Sequence, residues 1–122
     1  MPRVLVIDDN EDFRSLLSIA LEAEGFEVET APDGLNAAEV LHSRPASVVV
    51  TDIFMPGKEG IETISDLRKQ FPGVHIIAMS GRASATDFDP LVIAQELGAA
   101  RTLRKPFSID ELIGAVRSLT GK

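Results

Sequence analysis

Five residues of this 122-residue chain have types and positions suited to one kind of chemistry: Asp8, Asp9, Asp52, Ser80 and Lys105. Each lies at or just past the end of a short apolar run. Asp8-Asp9 follow Val4-Leu5-Val6-Ile7, and Asp52 follows Val48-Val49-Val50-Thr51. Ser80 follows Val74 to Met79, and Lys105-Pro106 come just after Ala100 to Leu103. Three carboxylates drawn together repel one another and raise each other's pKa. A hard divalent cation such as Mg²⁺ removes that conflict, because it takes carboxylate, water and phosphate oxygens as ligands. A remaining carboxylate is a nucleophile toward phosphorus, and its product is an acyl phosphate. The charge on a transferring phosphoryl group needs cations and hydrogen-bond donors. Lys105 offers an ammonium and Ser80 a hydroxyl.

Singly, each residue has an ordinary explanation. Acids at strand ends cap helices or sit in solvent, and Asp9 or Asn10 can cap the helix that follows. Ser80 before Gly81 suits a turn, and Lys105 suits a surface. Their joint placement favours a site, because ligands of open parallel sheets bind beyond the carboxyl ends of the strands.

The elements that must position these residues alternate in kind. Val4–Ile7 is short and largely β-branched, as in a strand buried on both faces. Phe13, Leu16, Leu17, Ala20 and Leu21 recur at helical spacing, and Gly25 supplies a stop. Phe26, Val28 and Thr30 alternate with Glu27 and Glu29, a half-exposed strand. Pro32-Asp33-Gly34 opens a helix with a face through Leu35, Ala38 and Leu41. Val48–Val50 is a second buried strand, and a Pro56-Gly57 loop follows Asp52. Ile61, Ile64, Leu67 and Phe71 form the next helical stripe, closed by Pro72-Gly73. Val74–Met79 is a strand, Ser80–Asp89 a polar loop, and Leu91–Leu97 a helix ending at Gly98. Ala100–Leu103 is read as a fifth strand chiefly because the alternation requires one. Ser108 and Glu111 form a capping box with Phe107 and Leu112 as staple, and Ile109, Leu112, Ile113 and Val116 give that helix its buried face. Five β–α units predict an α/β fold with a parallel sheet and helices on both faces.

Composition narrows the function. The length suits a single domain, 1–122. There are no cysteines, which excludes disulfides, thiolate metal sites, iron–sulfur clusters and thiol catalysis. Twelve Lys+Arg against nineteen Asp+Glu give a net charge of -7, so direct nucleic acid binding by this domain is not expected. No apolar stretch approaches the ~20 residues that span a bilayer, and the start is too short and too soon acidic for a signal peptide. The expected compartment is the cytoplasm, with no membrane partner. His42 near a helix end and His75 at a strand start have no metal-ligand spacing to each other. Gly57-Lys58 lacks the upstream glycine of a P-loop, and Ala78 stands where a nucleophile elbow before Ser80 needs glycine.

Taken together, Val4-Leu5-Val6-Ile7-Asp8-Asp9-Asn10, Thr51-Asp52-Ile53-Phe54-Met55-Pro56-Gly57, Met79-Ser80-Gly81 and Lys105-Pro106-Phe107 resemble the response-regulator receiver domains of bacterial two-component signalling. The resemblance covers essentially the whole chain, and the motifs in this order are a specific combination. It implies a doubly wound, CheY-like five-stranded sheet of order 2-1-3-4-5 flanked by five helices. It implies Asp52 as phosphoacceptor, and Mg²⁺ held by Asp9, Asp52 and the backbone carbonyl of Phe54, with Asp8 acting through water. Ser80 takes the family's Ser/Thr switch position, Lys105 pairs with the phosphoryl group, and the Lys105–Pro106 bond is cis. The implied partners are a histidine kinase or histidine phosphotransfer protein upstream, and a downstream protein or trimmed output domain.

The chain departs from the family at Thr102, where Tyr or Phe is usual and swings inward on activation. The expected readout therefore shifts to the Ser80–Leu97 region, with Arg82 engaging the phosphoryl group and Phe54 screening it from water. Three rival readings each demand something different of these residues. A pseudo-receiver would dock partners without phosphorylation. A flavodoxin-like cofactor binder would need a phosphate-cradling loop where this chain has Asp8-Asp9-Asn10-Glu11-Asp12. A haloacid-dehalogenase-type phosphatase would need Asp-x-Asp, whereas these acids are adjacent.

Overall fold

The computed structural model describes residues 2–53, 60–81 and 90–121. Their elements run β1 (Arg3–Ile7), α1 (Glu11–Ala23), β2 (Glu27–Ala31), α2 (Gly34–Ser43), β3 (Val48–Asp52), α3 (Gly60–Gln70), β4 (His75–Ser80), α4 (Pro90–Glu96), β5 (Arg101–Arg104) and α5 (Ile109–Thr120). The strands form one parallel sheet of order β2-β1-β3-β4-β5, as expected. The Pro56-Gly57 turn lies outside the described residues.

Alternation along the strands divides the core into two layers, because successive side chains leave opposite faces of a sheet. Leu5, Ile7, Val49, Ile76 and Ala78 pack with α2, α3 and α4. Val4, Val6, Val48, Val50, Ile77, Met79 and Leu103 pack with α1 and α5. The three central strands are buried on both sides, which explains their unbroken apolar runs. β2 and β5 form the edges and carry exposed charged residues, a pattern that discourages further strand pairing.

Helix starts are fixed locally. The Asn10 side chain caps α1 by accepting from the Phe13 amide, and Asp33 caps α2 by accepting from that of Asn36. The Ser108–Glu111 box closes reciprocally at α5. Gly25 takes a φ of 91°, beyond ordinary L-residue range, where the chain leaves α1.

Several helix faces differ from their expected registers. Leu16 and Leu35 are exposed, and Ile109, the first residue of α5, is more than a third exposed. The buried face of α1 runs through Leu17 and Leu21, with Phe13 and Ala20 partly covered. In α2 it runs through Gly34, Ala37 and Leu41 rather than Leu35, Ala38 and Leu41. The cause is Gly34, where a Cβ would lie 2.4 Å from Thr63 Oγ1, so the bare glycine lets α2 approach α3. That contact turns Leu35 outward.

Candidate functional site

Sheet register builds the site. β1 and β3 are adjacent and parallel, with Ile7 opposite Thr51, so the next residue of each strand puts Asp8 beside Asp52. β4 follows with Met79 opposite Asp52, and β5 with Arg104 opposite Ser80. The Lys105 amide then donates to the Ser80 carbonyl at 2.8 Å, extending the ladder one residue past β5. The Lys105–Pro106 bond is cis, as the resemblance implies. Residues from four strands thus meet at one sheet edge.

Lys105 ties them together. Its Nζ donates to Asp52 Oδ2 at 2.6 Å and to Asp8 Oδ2 at 3.2 Å. Asp8 is 1% exposed and Asp52 7% exposed, while the lysine side chain keeps 24%. Ser80 is fully buried, Asp9 is exposed and Thr102 is half-buried. Phe54 and Arg82 lie outside the described residues, so their expected roles gain no structural description.

The electrostatics follow from burial. Burial pushes the Asp8 carboxyl above its ordinary range and outweighs the Asn10 amide and the Lys105 charge, while nearby Asp52 adds to the rise. Burial alone would lower Lys105, but its hydrogen bonds and charge pairing with Asp52 and Asp8 outweigh that and hold it above the usual lysine range. The site therefore contains a crowded carboxylate and a firmly protonated ammonium.

Around this triad, α1 supplies contacts that spacing alone does not reveal. The Asn10 amide donates to Asp8 Oδ1 at 2.9 Å, and Arg14 Nη1 donates to the Asp8 carbonyl at 2.7 Å. The Phe13 ring lies 4.4 Å from Lys105 Nζ. The sequence pattern assigns Phe13 only to a buried helical stripe, and its one available signal is an aromatic residue four positions after the acidic pair.

The donor set suits a hard cation: every candidate ligand is an oxygen, and Asp8 is under strain from burial beside a second carboxylate. Among the described residues no three acidic or imidazole side chains converge on one point, and Asp9 is exposed. Also among them, no helix is long and apolar enough to cross a membrane.

Comparison with known proteins agrees with this geometry. The response regulator receiver domain model matches residues 4–117. A transcriptional regulatory protein CpxR homolog of Haemophilus influenzae is 38% identical over 119 residues, covering 98% of this chain and 50% of that protein. The chain thus spans about half the length of this curated relative. The chemotaxis protein CheY4 of Vibrio cholerae superposes with a TM-score of 0.88 at 28% identity, covering 98% of both chains. The receiver domain of a Francisella response regulator does so with a TM-score of 0.87 at 33% identity, covering 98% of this chain and 96% of that one. With its sheet order, its acid–lysine cluster and a family match across nearly its full length, the chain belongs to the response regulator receiver domains, the phosphorylation-dependent signalling modules of two-component systems.

Proposed function

We propose that Asp52 accepts a phosphoryl group from a phosphohistidine partner, either a histidine kinase or a histidine phosphotransfer protein. An Asp52 carboxylate oxygen forms the new bond to phosphorus as the phosphorus–nitrogen bond breaks. The imidazole nitrogen leaves with the bonding electrons. The observation that carries this reading is the 2.6 Å contact between Lys105 Nζ and Asp52 Oδ2 at the strand ends. It places a cation beside the nucleophile, where phosphoryl charge will develop. Charge-assisted hydrogen bonds are roughly twice as strong as neutral ones, so the new phosphoryl oxygens draw in Lys105 and the Ser80 hydroxyl.

Receiver domains hold Mg²⁺ through acidic residues. In this chain Asp9, Asp52 and the Phe54 carbonyl would ligate it directly and Asp8 through water. When bound, Mg²⁺ supplies positive charge to the phosphoryl oxygens. Asp8 orients the site, because its carboxylate meets both the Asn10 amide and Lys105.

In this reading the domain, residues 1–122, turns over no separate substrate. It catalyses only its own phosphorylation and dephosphorylation, in the cytoplasm. A downstream protein or an attached output domain reads the change, and no nucleic acid binds the domain itself. Thr102 is too small to fill the space that an aromatic ring fills in relatives, and an unfilled cavity costs stability. Readout therefore passes through the Ser80–Leu97 region.

Intact-mass spectrometry after incubation with Mg²⁺ and acetyl phosphate tests the assignment. The wild-type chain should gain one phosphoryl group, and Asp52→Asn should gain none. A wild-type chain that stays unmodified would instead be a docking module that works without phosphorylation. Label that persists in Asp52→Asn would move the acceptor elsewhere.

A further inference from the structure

Resting on the assignment of Asp52 and Lys105 above, we propose that Phe13 is a positioning residue for phosphoryl transfer, acting through the Lys105 ammonium. Three observations converge on it. Its ring lies 4.4 Å from Lys105 Nζ, within the range of an attractive cation–π contact. The same ring meets Phe107 edge-on, with centroids 6.1 Å apart at 70°. Phe107 lies two residues beyond Lys105, so Phe13 touches both the lysine head and the segment that carries it. The Phe13 amide, finally, donates to Asn10 Oδ1, and the Asn10 amide donates to Asp8 Oδ1. A closed circuit results: Asp8, Asn10, Phe13, Lys105 and back to Asp8.

An aromatic ring is chemically apt here. The lysine must be held near a nucleophile that is about to carry several negative oxygens. A third carboxylate would hold it too, but would repel the incoming phosphoryl group. The face of a ring attracts the ammonium through its quadrupole and brings no net charge. The contact has little directionality, so the ammonium can pass from the Asp52 carboxylate to a phosphoryl oxygen without losing it. Leu17 and Leu21, further along α1, fill the buried face with aliphatic bulk. At Phe13 the ring contributes a cation contact that bulk alone lacks.

The test uses Phe13→Leu, which keeps apolar volume but removes the π face, and Phe13→Tyr, which keeps the ring. For the whole chain with Mg²⁺ present, the rate of Asp52 phosphorylation is followed against acetyl phosphate concentration. Proton shifts of the Lys105 ε-methylene report the ring directly, because an adjacent aromatic face displaces them upfield. Phe13→Leu should lose that displacement and, because the ammonium is no longer held in place beside the nucleophile, about tenfold in maximal rate, with half-saturation by the donor unchanged. Phe13→Tyr should retain both. A Phe13→Leu chain that phosphorylates at the wild-type rate overturns the proposal, as does a Phe13→Tyr chain as slow as Phe13→Leu. If the leucine variant does not fold, Phe13→Met replaces it with the same expectations. A wild-type chain that takes no phosphoryl group at Asp52 defeats the functional assignment and the proposal together; a phosphorylated wild type with an equally fast leucine variant defeats the positioning role alone.

Discussion

Replacing Lys105 by Met should destabilise the fold in a pH-dependent way. The lysine bridges two carboxylates, Asp52 at 2.6 Å and Asp8 at 3.2 Å. Removing one partner of a fully buried ion pair costs about 3–5 kcal/mol. The lysine side chain keeps 24% of its surface, so solvent screens part of that interaction, and about 2 kcal/mol at neutral pH is the expected loss. For a domain of this length that lowers Tm by about 8 °C. The sign of the pH effect follows from Asp8. Its folded pKa is already raised from 3.8 by burial, and the variant loses the Lys105 charge and hydrogen bond that hold it down. A raised carboxyl contributes stability below its unfolded pKa and loses it as pH rises through the folded value. In the wild type, the Lys105 contribution is fully present below 10.5 and is lost only as pH rises through its higher folded value, so it stays constant near neutrality. The gap between variant and wild type should therefore be smaller near about pH 4.5 than near about pH 7.5. Urea unfolding at both pH values measures it, and adding Asp8→Asn to the variant should recover much of the loss. Equal destabilisation at both pH values would refute Asp8 as the group that makes the loss pH-dependent.

Gly34→Ala should cost about 1–3 kcal/mol, because the new methyl meets Thr63 Oγ1 at 2.4 Å; Thr63→Ala in the same chain should recover part of it, by thermal unfolding. Millimolar Mg²⁺ should shift amide resonances around Asp9 and Asp52, and Asp9→Asn should largely abolish the response; spectra that do not change would remove the metal from the scheme. Hydrogen exchange with and without a beryllofluoride phosphoryl mimic plus Mg²⁺ should change most between Ser80 and Leu97, whereas changes confined to Thr102 and α5 would contradict readout without an aromatic ring.

Legibility in the sequence followed range. Strands buried on both faces announce themselves as unbroken apolar runs, so Val4–Ile7 and Val48–Val50 placed Asp8 and Asp52 at the correct sheet edge. Caps are local chemistry, and Ser108 with Glu111 could be read directly. Helix faces were less legible, because glycine counts as a breaker in a periodic pattern. At Gly34 the missing side chain is itself the packing surface, and the face of α2 turns accordingly. Leu16 fits an apolar stripe, yet its neighbour Leu17 faces the sheet and Leu16 is exposed. Within the site, residue types were readable but partners were not. Nothing in the chain order states that one ammonium would bridge two carboxylates, that Arg14 would hold the Asp8 carbonyl, or that Phe13 would lie against Lys105.

The separation of those partners along the chain bears on biosynthesis. Lys105 reaches back 97 residues to Asp8 and 53 to Asp52. Such contacts have high sequence separation, and the loop-closure entropy of the intervening chain must be met before they contribute. During synthesis the acidic half emerges from the ribosome first, and N-terminal segments begin to organise while the remainder is still being made. Until β5 docks on β4, a nascent chain presents carboxylates without their ammonium. A product cut short before β5 would hold Asp52 and lack the cation beside it. The Lys105 contacts with Asp8 and Asp52 thus require β5 to have joined the sheet, so the ion pair marks a fold completed from its first strand to its last.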